Sequence, residues 1–348
     1  MKKYSLLHPN WDMWKQAMIG IPRVKSKSEW DALDTFSRWL ISTRAAVILM
    51  TLFSAIIAGI FAAFDGMFDW PRFLILCFGL AMAHATNNIL NDLSDHRKGV
   101  DKGNAFRTLY GTQPVEDGLI TQQQSAKMAL FTGILAVAAG IYLTWQAGWS
   151  VLPFFLAGFV LLFAYNWPLK WLGLGEPTVI LVWGPLMIGG GYLAITGQWS
   201  WDVAIASLPY ALGPTAVLFG KHIDKIPWDK PKGVRTMPVL LGEKAARFAV
   251  IGMIALQFIL VVALVIKGFF GWPMLITLFA LPGFFKNILP LFAKDKPKER
   301  PADYPEDVWP LWFSSYAFLQ NRTFGGLFLL GLLIQMILMM FDLPVGIF

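Results

Sequence analysis

Long apolar runs alternate with polar breaks along the sequence, and nine runs reach the roughly 20 residues that a helix needs to cross a bilayer's hydrocarbon core. Their predicted limits are 39–64, 72–95, 124–147, 150–167, 177–196, 202–221, 246–267, 272–293 and 322–342. The breaks are of two kinds. Those at 96–123, 168–176, 222–245 and 294–321 are long or charged, and carry Arg97, Lys98, Lys102, Arg107, Lys170, Lys225, Lys230, Lys232, Arg235, Lys296 and Arg300. The alternate ones, near 65–71, 148–149, 197–201 and 268–271, are short and nearly free of Lys and Arg. Lys and Arg concentrate on the cytoplasmic side of membrane proteins. The pattern therefore predicts an all-α polytopic protein of the cell membrane, with its N-terminus and charged breaks in the cytoplasm. An odd number of spans brings the C-terminus out on the opposite side. No signal peptide is expected, because the first apolar run begins only near Trp39.

Composition agrees with this pattern. Of 348 residues, 56% are hydrophobic and only 15% are charged, too apolar a balance for a soluble chain of this size. The net charge of +7 is what basic cytoplasmic loops and lipid headgroups call for, so no nucleic-acid partner is expected. Cys77 is the only cysteine, which excludes an intrachain disulfide and a thiolate metal site. Residues 1–38 set Trp11, Trp14, Trp30 and Phe36 among Lys15, Arg23, Lys25 and Lys27. That mixture suits helices at the headgroup level, and equally a poorly ordered tail. The expected division is a cytoplasmic or interfacial extension over 1–38, able to dock a protein partner, followed by a nine-helix transmembrane domain over 39–348.

The chemistry gathers at two places. At the end of the second run, His84, Asn88, Asn91 or Asp92, and Asp95 follow at three- and four-residue steps, which stacks them on one helix face. A charged loop containing Asp101 comes next. Polar groups in a membrane helix are costly and usually face a bundle interior or a partner charge. A column of oxygen acceptors ending in carboxylates suits magnesium, a hard cation that shares its ligands with phosphates. The competing reading is a stripe that hydrogen-bonds to neighbouring helices. The second cluster lies where the sixth run meets the cytoplasm: Asp224 and Asp229, flanked by Lys221, His222, Lys225, Lys230, Lys232 and Arg235. Two acidic clusters on one membrane side, each with basic neighbours, suit a magnesium–diphosphate site, with carboxylates for the metal and cations for the remaining phosphate charge. Two solvated loops of balanced charge are the alternative.

Several motifs resemble the UbiA superfamily of intramembrane prenyltransferases, most closely its 1,4-dihydroxy-2-naphthoate branch in menaquinone synthesis. Asn91-Asp92-Leu93-Ser94-Asp95-His96-Arg97-Lys98-Gly99-Val100-Asp101 is similar to that branch's first aspartate motif. Asp229-Lys230-Pro231-Lys232-Gly233-Val234-Arg235-Thr236 is similar to its second. Tyr165-Asn166-Trp167-Pro168-Leu169-Lys170, continuing to Gly173-Leu174-Gly175-Glu176, looks like its fourth-to-fifth-helix loop, and Arg38 through Arg44 like the start of its first helix. The resemblance implies a bundle of nine helices around a central cavity. In it a magnesium-held polyprenyl diphosphate would lose its diphosphate, and an aromatic acceptor would attack the resulting allylic carbocation. Carried over residue by residue, Asp92, Asp95, Asp101, Asp224 and Asp229 would be metal ligands. Asn88 and Asn91 would support them, and Arg107, Lys230 and Arg235 would contact diphosphate. Arg44, Lys170 and Tyr165 would serve near the acceptor or diphosphate. His84 and His222 are expected to be hydrogen-bonding partners, since magnesium prefers oxygen.

The sequence also departs from the family pattern. The second motif usually reads D-x-x-x-D, whereas Asp224 and Asp229 are one residue further apart with Pro227 between them. On a continuous helix that step rotates one carboxylate by about 100°, so Pro227 is expected to end the helix and let both acids converge. Gln113 stands where an arginine is usual, and Ala45 where a proline is. The expected function is magnesium-dependent polyprenyl transfer to 1,4-dihydroxy-2-naphthoate or a related quinone precursor. The alternative is an inactive subunit of the same fold that binds a quinone, pigment or lipid within a larger membrane complex.

Overall fold

A computed structural model describes residues 9–20, 22–100, 111–306 and 308–346. Every regular element among them is helical. Three short helices come first: α1 Trp11–Ile19, α2 Lys27–Ala32 and α3 Thr35–Thr43. Nine segments of membrane-crossing length and hydropathy follow among the described residues. They are α4 Ala45–Phe64, α5 Trp70–Arg97, α6 Gln122–Ala147, α7 Trp149–Asn166, α8 Gly175–Thr196, α9 Trp201–Lys232, α10 Glu243–Ile266, α11 Trp272–Phe292 and α12 Phe313–Met340. Large apolar side chains such as Leu130, Phe131, Ile134 and Ile141 lie exposed along α6, as lipid-facing residues do.

The spans match the apolar runs in number and order, but their ends differ where local chemistry intervenes. Arg44, at φ 54, is a left-handed joint that separates α3 from α4, so the first span begins at Ala45 rather than near Trp39. Pro227 does not end α9. The helix Leu208–Asp229 runs through it, and one tighter turn, Lys230–Lys232, follows. α12 begins at Phe313, nine residues before the expected 322. Proline, which lacks a donor N–H, marks the irregular spans. Pro185 lies in a π-helical stretch of α8, Val182–Gly189, and α11 opens as the 3-10 helix Trp272–Ala280 with Pro273 in its first turn.

The chain forms two compact units. The first comprises the residues up to Phe53 together with Leu74–Tyr142. In it the N-terminal helices bury a core of their own, with Ala17, Val24, Trp30, Leu33, Leu40, Ile41, Ala45 and Leu119 inside and Met13, Trp14 and Trp39 packed against them. Asp34 ties α1 to α3. Its carboxylate accepts hydrogen bonds from the Asn10 N–H at 3.2 Å, the Trp14 indole at 3.1 Å, and the Ser37 N–H at 2.8 Å and hydroxyl at 2.5 Å. Burial alone would raise this carboxyl group's pKa. The bonds from Ser37, Trp14 and Asn10 outweigh burial and hold it below the usual carboxylate range. A lowered folded pKa gives stability above the unfolded value, lost as pH falls through the folded one, so this anchor opens only below about pH 4. Asp34→Ala is expected to cost about 1–2 kcal/mol, the value of an N-cap. Hydrogen exchange across 10–20 should speed up in that variant and remain unchanged across α10.

The second unit comprises Ser54–Phe73 and the residues from Leu143 onward. Rings from four spans interlock in it: Phe258 meets Phe284 at 6.1 Å and Phe324 at 5.4 Å, and Phe324 stacks on Phe328 at 6.0 Å. Tyr210 of α9 lies 6.2 Å from Phe328. A Cβ on Gly220 would stand 2.7 Å from the Phe313 carbonyl oxygen, so only glycine lets α9 and the start of α12 approach this closely.

Candidate active site

In the first unit the polar column of α5 meets the α3–α4 joint. The left-handed backbone at Arg44, costly for a non-glycine residue, accompanies a guanidinium that donates to Asp92 Oδ1. Both side chains are buried, 9% and 8% exposed, so this ion pair is desolvated. One helical turn earlier, Asn88 donates from Nδ2 to the Thr43 carbonyl at 2.8 Å and satisfies an orphan acceptor at the end of α3. Thr51 Oγ1 lies 2.6 Å from His84 Nδ1. Asp95 is buried and Asn91 half-buried on the same face. The turn at 113–118 brings in an acid that the motif reading missed. Asp117 accepts the Gln113 N–H at 2.7 Å, and burial and the charges of Glu116 and Asp92 push its carboxyl group up against that bond's opposing pull. Gln113 is itself buried, and neither atom of its amide has a hydrogen-bond partner among the described residues. Asp101 and Arg107 lie outside the described residues.

In the second unit, α9 sorts its polar groups by helical phase. His222, Lys225 and Asp229 follow at three- and four-residue steps and share a face. Lys225 Nζ stands 3.0 Å from Asp229 Oδ1, near enough to pair charge, yet Asp229 is 1% exposed and neither of its oxygens accepts a hydrogen bond from the described residues. Because the helix continues through Pro227, Asp224 is rotated about 140° from Asp229. The expected convergence of the two acids does not occur within the second motif. Asp224 instead accepts from the Phe313 N–H at 3.2 Å, the Ser314 N–H at 3.0 Å and the Ser314 hydroxyl at 2.9 Å. Lys296 Nζ lies 3.3 Å from it, and 5.2 Å above the Trp309 ring. This carboxylate caps α12, whose own N-cap residue Trp312 offers no side-chain bond.

The remaining expected residues fall in the same unit. Lys170 is buried, and Tyr165 is half-buried, its ring 3.6 Å from where a Cβ on Gly175 would stand. Lys230, in the last turn of α9, and Arg235, just beyond it, are exposed, and buried Val234 and Thr236 flank Arg235. Glu176, which closes the fourth-to-fifth-helix motif without a role assigned to it there, is 1% exposed. It lies 2.6 Å from His222 Nδ1 and accepts the Met237 N–H at 3.2 Å.

No group of three or more histidine, cysteine or acidic side chains placed to hold a metal occurs among the described residues. The donor chemistry nevertheless fits magnesium. The acids are hard oxygen donors, and Asp229's buried carboxylate has acceptor capacity that no hydrogen bond uses.

Each unit thus holds a buried carboxylate beside a buried cation, Asp92 with Arg44 in the first and Asp229 with Lys225 in the second, in a chain whose spans are of membrane-crossing length. The profile of the UbiA prenyltransferase family matches residues 51–316. Similar proteins include 1,4-dihydroxy-2-naphthoate octaprenyltransferase of Bacillus subtilis, 23% identical over 260 residues, or 72% of this chain and 82% of that one. The 2-carboxy-1,4-naphthoquinone phytyltransferase of Synechocystis is 26% identical over 205 residues, which span 57% of this chain and 62% of that protein. The solved structure of a UbiA homologue from Archaeoglobus fulgidus, bound to GPP and Mg2+, shares the fold with a TM-score of 0.56 at 16% identity, covering 83% of this chain and 99% of the other. The chain belongs to the UbiA prenyltransferase family and is an intramembrane prenyltransferase.

Proposed function

We propose that this protein transfers a polyprenyl group from its diphosphate to an aromatic acceptor, 1,4-dihydroxy-2-naphthoate or a related quinone precursor, in a magnesium-dependent reaction. The observation that carries this reading is Asp229, a buried carboxylate beside Lys225 with no hydrogen bond to either oxygen among the described residues. By the resemblance of their motifs, Asp92, Asp95 and Asp229 would be metal ligands. Magnesium, when bound, supplies the positive charge that stabilises a departing diphosphate. Lys230, exposed in the last turn of α9, and Arg235, exposed just beyond it, would meet phosphate oxygens. Arg44 fixes the Asp92 carboxylate by direct pairing. Tyr165 and buried Lys170 are assigned to orienting the acceptor. The bias of Lys and Arg among the connections supports the N-terminus and both aspartate motifs on the cytoplasmic side of the cell membrane, with the C-terminus opposite.

The test uses the protein in nanodiscs with radiolabelled geranylgeranyl diphosphate and magnesium. The panel offered is 1,4-dihydroxy-2-naphthoate, 4-hydroxybenzoate, homogentisate and chlorophyllide. Lipid-soluble product with one naphthoate-type ring, abolished by EDTA, is the expected outcome. Product with a different ring would reassign the acceptor. An absence of product, with a lipophilic ring compound co-purifying in stoichiometric amount, would replace the proposal with a binding subunit of a larger complex.

A further inference from the structure

Glu176 stands where three separate segments of the second unit meet. It follows the 168–176 connection in the first turn of α8, with 1% of its surface exposed. Burying a carboxylate is costly unless its oxygens are engaged, and each oxygen of Glu176 engages a different element. Oε1 lies 2.6 Å from Nδ1 of His222 on α9. Oε2 accepts the N–H of Met237, the first residue of the short helix Met237–Leu241, at 3.2 Å. A second contact joins the same pieces. Gly173, at φ +77, is so close to the segment after α9 that a Cβ there would stand 3.3 Å from the Arg235 carbonyl oxygen and would overlap the Leu240 side chain.

We propose that Glu176 is a positioning residue for the diphosphate-binding turn, setting Arg235 and the Asp229 face of α9 in register through His222 and Met237. The proposal rests on the function assigned above. Arg235 is two residues before the Met237 amide, and its own side chain is exposed, so its aim depends on the backbone that Glu176 holds. On the other side of the carboxylate, His222 shares a helix face with Lys225 and Asp229. One side chain thereby fixes the relative placement of the turn's cation and the motif's carboxylate without itself meeting substrate. Loss of such a brace acts on ground-state capture of the charged headgroup, because small displacements of a clamp are costly to binding.

Three variants test this: Glu176→Ala, Glu176→Asp and Glu176→Gln. Each is assayed for donor KM and kcat with geranylgeranyl diphosphate and magnesium, and for hydrogen exchange over 230–241 without substrate. Glu176→Ala is expected to raise donor KM by roughly 10- to 100-fold while kcat falls less than about fivefold, with faster exchange at Val234–Leu241. Glu176→Gln keeps an oxygen for Met237 and an amide for His222, and should stay within about threefold of wild type. Glu176→Asp is too short to span both partners and should give a milder form of the alanine result, which preserves the test if the alanine variant does not fold. A purely structural role would lower Tm and leave KM and the local exchange of the folded protein unchanged, and that result overturns the proposal. A wild-type chain that turns over no donor would overturn the proposed function instead, and the brace would then be judged by the exchange pattern alone.

Discussion

Asp229→Asn is expected to remove magnesium-dependent prenyl transfer, with kcat/KM falling by about 10^3-fold, while the protein keeps its fold. The magnitude follows from charge. A carboxylate that holds a divalent ion contributes several kcal/mol to the stabilised leaving group, and each ~1.4 kcal/mol is tenfold in rate. Retention of the fold follows from geometry. Neither Asp229 oxygen accepts a hydrogen bond, so no backbone group is orphaned, and the amide oxygen of Asn can still face Lys225 Nζ, now 3.0 Å away. Asparagine is the informative substitution because, although it removes the charge of Asp229 as alanine does, it keeps a polar oxygen beside Lys225, 4% exposed, and leaves no cavity there. The measurement pairs steady-state turnover across a magnesium series with a thermal melt. Residual activity above about a tenth of wild type, with an unaltered magnesium midpoint, would remove Asp229 from the metal site.

Much of the architecture was legible in the sequence because span length and hydropathy are local properties. Each apolar run announces its own helix, and their order required no tertiary information. What stayed hidden depended on partners far along the chain. Asp224 reads as a motif acid, yet the amides it caps belong to residues 313 and 314, some 90 positions later. Pro227 reads as a helix end, but a proline there removes a single backbone donor, and Leu208–Asp229 continues around it. Arg44 enters the expected site through its motif. Its left-handed backbone, which splits the first predicted span in two, has no composition signal, since that conformation usually selects glycine or asparagine. Glu176 carried a faint one: an acid at the mouth of an apolar run with no basic residue three or four positions away. The N-terminal extension reads equally as interfacial helices and as a tail because its tryptophans are set among basic residues. Asp34, the residue that gathers α1 onto α3, looks like any N-cap in the sequence.

Asp224→Ala, only five residues from Asp229, is expected to act in the opposite way, on stability rather than on chemistry. The Asp224 side chain is fully enclosed, and it accepts from the Phe313 N–H at 3.2 Å, the Ser314 N–H at 3.0 Å and the Ser314 hydroxyl at 2.9 Å, with Lys296 Nζ at 3.3 Å. Alanine removes all four at once. The first turn of α12 loses the acceptor for its orphan N–H groups, and Lys296 loses its counter-charge. Breaking one side of a buried, hydrogen-bonded pair costs about 3–5 kcal/mol, which corresponds to a fall in Tm on the order of 10 °C for a chain this long. Because Gly220 already seats α9 against the Phe313 carbonyl, the loss is predicted to loosen that contact first, with faster hydrogen exchange at 311–316 before any change in α10. The fraction that remains folded should keep the wild-type magnesium midpoint and donor KM. A variant with unchanged Tm but a shifted magnesium requirement would return Asp224 to the metal site and show that the two acids converge during turnover. The contrast between Asp224 and Asp229 is thus a direct reading of helical phase. On a helix that runs through Pro227, a five-residue spacing sends one carboxylate to α12 and leaves the other beside Lys225.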